Sequence, residues 1–230
     1  MACAILNGVF FMLLKKIINL LFPQKCMFCQ RITEGEHICF SCRGTLPYRD
    51  AFVEGVSYAD AVYAPLRYRK PVTEAIHRFK FSGQSFLAEP FGDLIADCLR
   101  QQLRRGVDLV TWVPVNRFRK RRRGYDQAQL LAEQVAKALA LPCCPTLVKQ
   151  KNIAPQFTMA DEKSRRENVE NVYGFSGKSD VAGKRVLLID DIITTGATLS
   201  VCCEALLRAG ASGVVCAAIA KAGEKKARAE

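Results

Sequence analysis

The chain is 230 residues long, 50% hydrophobic and 24% charged, enough apolar content for one full core plus an appendage. That balance excludes a disordered tail, a collagen-like fibre and a multi-span membrane protein. Lysine and arginine number 34 against 22 acidic residues, a net charge of +12, which suits polyanionic partners such as nucleic acid, phosphorylated metabolites or anionic lipid.

Residues 1–22 form an N-terminal apolar segment broken by Asn7, Lys15 and Lys16. Its uncharged run is shorter than the ~20 residues that span a bilayer, so no stable membrane span is expected. It lacks the charged start and cleavage site of a signal peptide. From Met12, an alternative initiator, Leu13, Leu14, Ile17, Ile18 and Leu21 follow an amphipathic helical spacing. Such a helix covers another part of the protein or lies on a membrane surface.

Residues 23–50 contain Cys26-x2-Cys29 and Cys39-x2-Cys42. Each pair aims two sulfurs at one point, and tetrahedral zinc needs four such ligands. The expected module is a structural four-cysteine zinc site with no open position for substrate; packed thiols or a redox pair are the other reading. His37 is a bystander, and Gly35 and Gly44 supply tight backbone. Cys3, Cys98, Cys143, Cys144, Cys202, Cys203 and Cys216 fall on apolar positions and read as core packing. With 11 cysteines placed so unevenly, a secreted disulfide framework is not expected, and the compartment is the reducing cytoplasm.

A larger domain follows over 51–220, with a charged tail at 221–230. Its predicted elements are a strand at 59–68, a short helix from Pro71 to Arg78, and a helix of period 3.6 between Ser85 and Arg105. After Gly106 come a strand at 108–115, a helix at 126–140 and a short strand at 145–149. A polar stretch at 151–173 exceeds ordinary loop lengths and reads as a functional lid or a flexible hairpin. Then come an apolar strand at 185–189, a helix at 197–208 and a strand at 213–219. This alternation predicts an α/β fold with a parallel sheet and helices on both faces.

The stretch Val186-Leu187-Leu188-Ile189-Asp190-Asp191-Ile192-Ile193-Thr194-Thr195-Gly196-Ala197-Thr198 carries the chemistry. A buried strand ends at adjacent carboxylates, and a Thr- and Gly-rich turn leads into a helix. Such a turn gathers backbone N–H groups and the positive end of the helix, suited to a phosphate, and Gly196 lets the phosphate approach the main chain. The carboxylates sit where open sheets bind ligands and can accept hydrogen bonds from vicinal hydroxyls. Phosphate beside diol implies a ribose 5-phosphate; an ordinary strand-to-helix turn is the alternative. Between Asn116 and Asp126 lie Arg117, Arg119, Lys120, Arg121, Arg122 and Arg123, read as a basic loop at the same sheet edge. It would receive a pyrophosphate or a polynucleotide backbone, or simply be solvated.

The stretch 186–198 resembles, position for position, the phosphoribosyl-pyrophosphate (PRPP) motif of type I phosphoribosyltransferases. With Pro23-x2-Cys26-x2-Cys29, Phe79-Lys80-Phe81-Ser82-Gly83, Arg123-Gly124-Tyr125-Asp126-Gln127, Gln156, Arg165-x2-Asn168 and Phe175, the chain resembles the ComF (GntX-like) family. These are phosphoribosyltransferase-like proteins linked to competence and DNA utilisation. Family members often carry Phe-Asn where this chain has Tyr125-Asp126. The resemblance implies a type I phosphoribosyltransferase-like sheet that binds PRPP with magnesium and contacts single-stranded DNA, beside DNA-uptake or helicase machinery. Asp190 and Asp191 would hold the ribose hydroxyls, and Thr194, Thr195, Gly196, Ala197 and Thr198 the 5-phosphate. Lys80, Arg119 and Arg123 would meet pyrophosphate or a DNA backbone, and Gln156, Arg165 and Asn168 would lie on the lid. A genuine transferase for an unidentified nucleobase and a non-catalytic PRPP-sensing regulator are the alternatives.

Overall fold

The computed structural model describes residues 23–149 and 172–223 and divides the chain into two units, 1–46 and 47–230. The N-terminal apolar segment with Cys3, the lid residues Gln156, Arg165 and Asn168, and the end of the charged tail lie outside the described residues. Among the described residues, no helix is long and apolar enough to cross a membrane.

In the first unit, Lys25 and Ile32 form an antiparallel bridge, and helix α1 (Phe40–Thr45) is capped by Cys39, whose sulfur accepts the Cys42 N–H. Met27 and Phe28 are buried beneath the turn. Gly44 lies inside α1 rather than at a tight turn. The left-handed positions fall instead on Gln30 (φ 62°) and Gly35 (φ 93°).

The second unit begins with strands β1 (Ala61–Tyr63) and β2 (Leu66–Arg67), helix α2 (Val72–Phe81), helix α3 (Ala88–Gln102) and strand β3 (Leu109–Trp112). Helices α4 (Arg117–Arg123) and α5 (Gln127–Leu139) and strand β4 (Leu147–Lys149) follow. The remainder is β5 (Tyr173–Phe175), β6 (Arg185–Ile189), β7 (Ile192–Ile193), α6 (Ala197–Arg208), β8 (Gly213–Ala217) and β9 (Ala220–Lys221). The central sheet runs β1-β8-β6-β3 with every neighbour parallel. A second parallel sheet, β2-β9-β7, continues beyond its carboxyl edge.

Val186 to Ile189 are all fully buried, as a strand covered on both faces must be, and this explains its unbroken apolar run. Val186, Leu188, Val214 and Cys216 pack against Leu199, Cys202, Cys203 and Leu206 of α6. Strand alternation turns Leu187 and Val215 to the other face, where α5 lies on β3 and β6 and α3 packs on α5.

Two expectations need correction. The single strand at 59–68 is two strands, because Pro65 between them lacks the N–H that a ladder requires. The basic run at 117–123 is a helix, not a loop. Long basic side chains are good helix formers, and bonds from Lys120 N–H to Asn116 O and from Gly124 N–H to Lys120 O close it before Gly124 turns left-handed at φ 83°. Of the polar stretch expected to be a lid or hairpin, 151–171 lies outside the described residues, and Tyr173 at its end opens β5, which pairs antiparallel with β4.

Candidate functional site

Strand β6 delivers Asp190 and Asp191 at its carboxyl end, and backbone bonds fix both. Asp190 N–H donates to Ala217 O at 3.0 Å, and Ile219 N–H donates to Asp191 O at 3.2 Å. Asp190 Oδ1 accepts the Asp191 N–H at 2.7 Å. Burial, and then the neighbouring Asp191 charge, push the Asp190 carboxyl up to about 8, while that N–H and the Lys80 ammonium pull the other way. Lys80, near the end of α2, places its Nζ 2.8 Å from Asp191 Oδ2, each side chain only 17% exposed. One carboxylate is therefore neutralised by a cation, and the other is held close to the neutral acid. Neither carboxyl stands as a bare charge.

The turn after β7 holds the predicted phosphate residues. Lys221 Nζ donates to Thr194 O at 2.6 Å, tying the turn to β9. Thr195 Oγ1 accepts the Ala197 N–H at 3.4 Å. Gly196, at φ 82°, is the N-cap of α6 and itself offers no capping side chain. The first-turn N–H groups of α6 have no partners within the helix, and Thr194, Thr195, Ala197 and Thr198 beside them are exposed. Gly196 itself is buried, and the space on the Cβ side of its Cα is filled by the chain. A Cβ there would lie 2.7 Å from Val56 Cγ2 and 3.3 Å from Gly55 O. Sequence reasoning missed this clamp from 51–57, which Ser57 N–H strengthens by donating to Ser200 Oγ at 2.9 Å. The segment has no periodicity that could have signalled it.

Arg123 joins this edge through aromatic contacts. Its guanidinium lies 4.8 Å from the centre of the Phe81 ring, next in sequence to Lys80, and its Nη1 donates to Gln127 Oε1 at 3.0 Å. Arg123 Nε and the fully buried Gln127 Nε2 have no hydrogen-bond partner. Asp126 is the N-cap of α5: Oδ1 accepts from Gln129 N–H and Oδ2 from Val115 N–H, each at 3.2 Å. An aspartate caps as well as an asparagine, so the departure from Phe-Asn costs the helix nothing. The additional Tyr125 hydroxyl donates to Phe79 O. Arg119 lies on α4 among the other basic residues.

In the first unit the four sulfurs of Cys26, Cys29, Cys39 and Cys42 all lie within 4.8 Å of one another, and Cys29 Sγ is 3.7 Å from Cys39 Sγ. Tetrahedral zinc with bonds of about 2.3 Å sets its sulfurs about 3.8 Å apart, so the set fits. Cys39 N–H and Cys42 N–H donate to Cys26 Sγ and Cys39 Sγ, each at 3.4 Å. The Arg31 N–H holds the Cys29 thiol down to about 6, whereas burial and the neighbouring sulfurs hold Cys42 high. His37 is occupied elsewhere, with Nδ1 2.9 Å from Gln24 Nε2. Of the remaining described cysteines, Cys202, Cys203 and Cys216 are fully buried.

Residues 126–230 match the phosphoribosyl transferase domain family and residues 17–52 the double zinc ribbon domain family. Competence protein F of Haemophilus influenzae is 27% identical over 86% of this chain and 90% of its own length. DNA utilization protein YhgH of Escherichia coli is 27% identical over 82% of this chain and 86% of its own. Competence protein ComFC of Bacillus subtilis is 27% identical over 83% and 74%.

Proposed function

The chain is a homologue of the ComF competence and DNA-utilisation proteins, a double zinc ribbon followed by a phosphoribosyl transferase domain, and from that premise we propose that it binds PRPP. The observation that carries this reading is the junction of two features at the end of β6. The half-buried carboxylates Asp190 and Asp191, the latter paired with Lys80, adjoin an exposed Thr-rich turn running into the start of α6. A ribose 5-phosphate carries a diol and a phosphate, the two groups these features suit. Asp190 and Asp191 take the hydroxyls, and Thr194 to Thr198 take the 5-phosphate. Lys80, Arg119 and Arg123 are the residues this reading assigns to pyrophosphate.

The carboxylates offer no anionic cage for a cation, so magnesium belongs with the ligand's own phosphate oxygens, whose charge it would neutralise. A transfer from PRPP develops positive charge on the sugar as pyrophosphate leaves and needs no protein nucleophile; the residues named here orient the sugar and keep its phosphates fixed. Single-stranded DNA is the second partner in this reading, received by the basic helix α4. The reduced zinc-ribbon thiols suit a cytoplasmic protein.

Calorimetric titration of PRPP with magnesium tests the first part. Wild type is expected to bind, and Asp190→Asn with Asp191→Asn to lose at least tenfold in affinity; equal affinities would defeat the assignment. Pyrophosphate release with a panel of bases then separates a transferase from a sensor. For DNA, replacing Arg121 and Arg122 by alanine should shallow the salt dependence by about 0.7 for each phosphate no longer neutralised. An unchanged slope removes α4 from the interface.

A further inference from the structure

A second recess lies on the face of the sheet away from α6. Helix α5 covers β3 and β6, and α3 packs on α5, so the β1–β8 half of that face is left to the last turn of α3 and the residues after it. The result is a recess of about 280 Å³ lined by Phe52, Tyr63, Gln102, Arg104, Arg105 and Arg185, among others. It is separate from the site above. Arg185 opens β6, whereas Asp190 follows its far end, about 17 Å of extended chain away at ~3.3 Å per residue.

One wall of the recess is aromatic. Phe52 meets Tyr63 edge to face, with centroids 6.3 Å apart, and Phe52 remains 47% exposed. The Tyr63 hydroxyl donates to Gln102 O at 3.5 Å, which fixes the ring. The other wall is cationic. Arg185 is already committed: its Nε donates to Asp60 Oδ2 at 3.1 Å and its Nη1 to Arg105 O at 2.9 Å. Asp108 accepts the Arg185 backbone N–H at 2.8 Å. Among the described residues, the exposed side chains of Arg104 and Arg105 make no hydrogen bond or ion pair, so two uncompensated guanidiniums stand at the rim.

The geometry points to a binding site for a planar ring carrying a phosphate, of the nucleoside 5′-monophosphate class. The phosphate dianion balances Arg104 and Arg105, whose planar donor forks match its oxygens. The base lies on Phe52 and Tyr63, since stacking on an aromatic wall accepts any base. The volume suits one nucleotide rather than a dinucleotide coenzyme. The same chemistry is presented by a free mononucleotide and by the 5′-phosphorylated end of a strand. This inference does not rest on PRPP binding at β6.

Amide hydrogen exchange with adenosine monophosphate (AMP) as the probe tests it. AMP should protect peptides covering 50–64 and 100–106 in wild type and in the Asp190→Asn, Asp191→Asn variant. In Arg104→Ala with Arg105→Ala, that protection should need at least tenfold more AMP. Both arginines are exposed, so the variant should fold, and its unfolding followed by Trp112 fluorescence should match wild type. Phe52→Ala should weaken AMP several-fold and leave inorganic phosphate unchanged. Comparing AMP with 5′-phosphorylated and unphosphorylated pentathymidylate assigns the ligand to free nucleotide or strand end. Protection confined to 190–200, protection persisting in the arginine variant, or no binding to any of these probes would overturn the proposal.

Discussion

Replacing Lys80 by methionine keeps the length of the side chain and removes its charge, leaving Asp191 with no cation on Oδ2. At the observed 2.8 Å the gross attraction is about 6 kcal/mol for an effective dielectric of about 20. Desolvation of both ions offsets much of that, and breaking a fully buried pair by removing one partner typically costs about 3–5 kcal/mol. Here each side chain keeps 17% of its exposure, so water relieves part of the stranded charge and about 2–3 kcal/mol is expected. For a domain of about 150–250 residues that is a fall in Tm of roughly 5–10 °C. Trp112, the only tryptophan, sits on β3 beside β6 and reports the transition. Asp191→Asn in the same background should recover about 2 kcal/mol, because the stranded charge is gone. If Lys80→Met costs less than about 0.5 kcal/mol, or if the two losses simply add, the pair is not coupled and the electrostatic account of the site fails.

Further predictions concern the same edge and the cysteine cluster. Asp190 holds its proton to about pH 8 when folded but only to about pH 4 when unfolded. Its contribution to stability is therefore complete below pH 4, declines as pH rises and is gone above pH 8, with a slope of at most about 1.4 kcal/mol per pH unit. Asp190→Asn should flatten urea-denaturation stability across that window, and an unchanged slope would contradict the raised carboxyl. Gly196→Ala should cost about 2–4 kcal/mol, since it meets both a left-handed backbone and Val56, whereas Gly177→Ala, at φ 69° with nothing within 4 Å, should cost about 1 kcal/mol. Equal losses in thermal unfolding would show that Val56 does not clamp the turn. Protein purified without chelators should carry about one zinc per chain by elemental analysis, and Cys39→Ser should lower it; full zinc content in that variant would rule out the four-sulfur site.

What was legible in the sequence follows the strength of the physical signal. Strand β6 and helix α6 occupy the residues expected of them, because an apolar run buried on both faces and a Gly-started amphipathic helix depend on little beyond their own side chains. The four-cysteine cluster was equally readable, since its ligand spacing is a local geometric demand. Helix α4 was misread because six like charges suggest a solvated loop, yet their backbone bonds and the break at Gly124 are enough to form it. The Lys80–Asp191 pair joins residues that no local pattern links. The contact at Gly196 is equally non-local, since the atoms filling the space on its Cβ side come from Val56.

That clamp has a consequence for how the domain is made. Ser57 reaches Ser200 across 143 residues of sequence, β1 pairs with β8, and β2 pairs with β9. The opening strands can pair early only with the neighbouring segment 47–53, through bridges such as Tyr48–Leu66 and Phe52–Tyr63, and wait for their parallel partners until the last strands have left the ribosome. Such high contact order slows folding and leaves edges exposed during synthesis. The turn at Thr194–Thr198, held by Val56 on one side and Lys221 on the other, is then among the last features to acquire its shape, so a chain stopped short of β9 would carry the whole motif and lack its tie to Lys221.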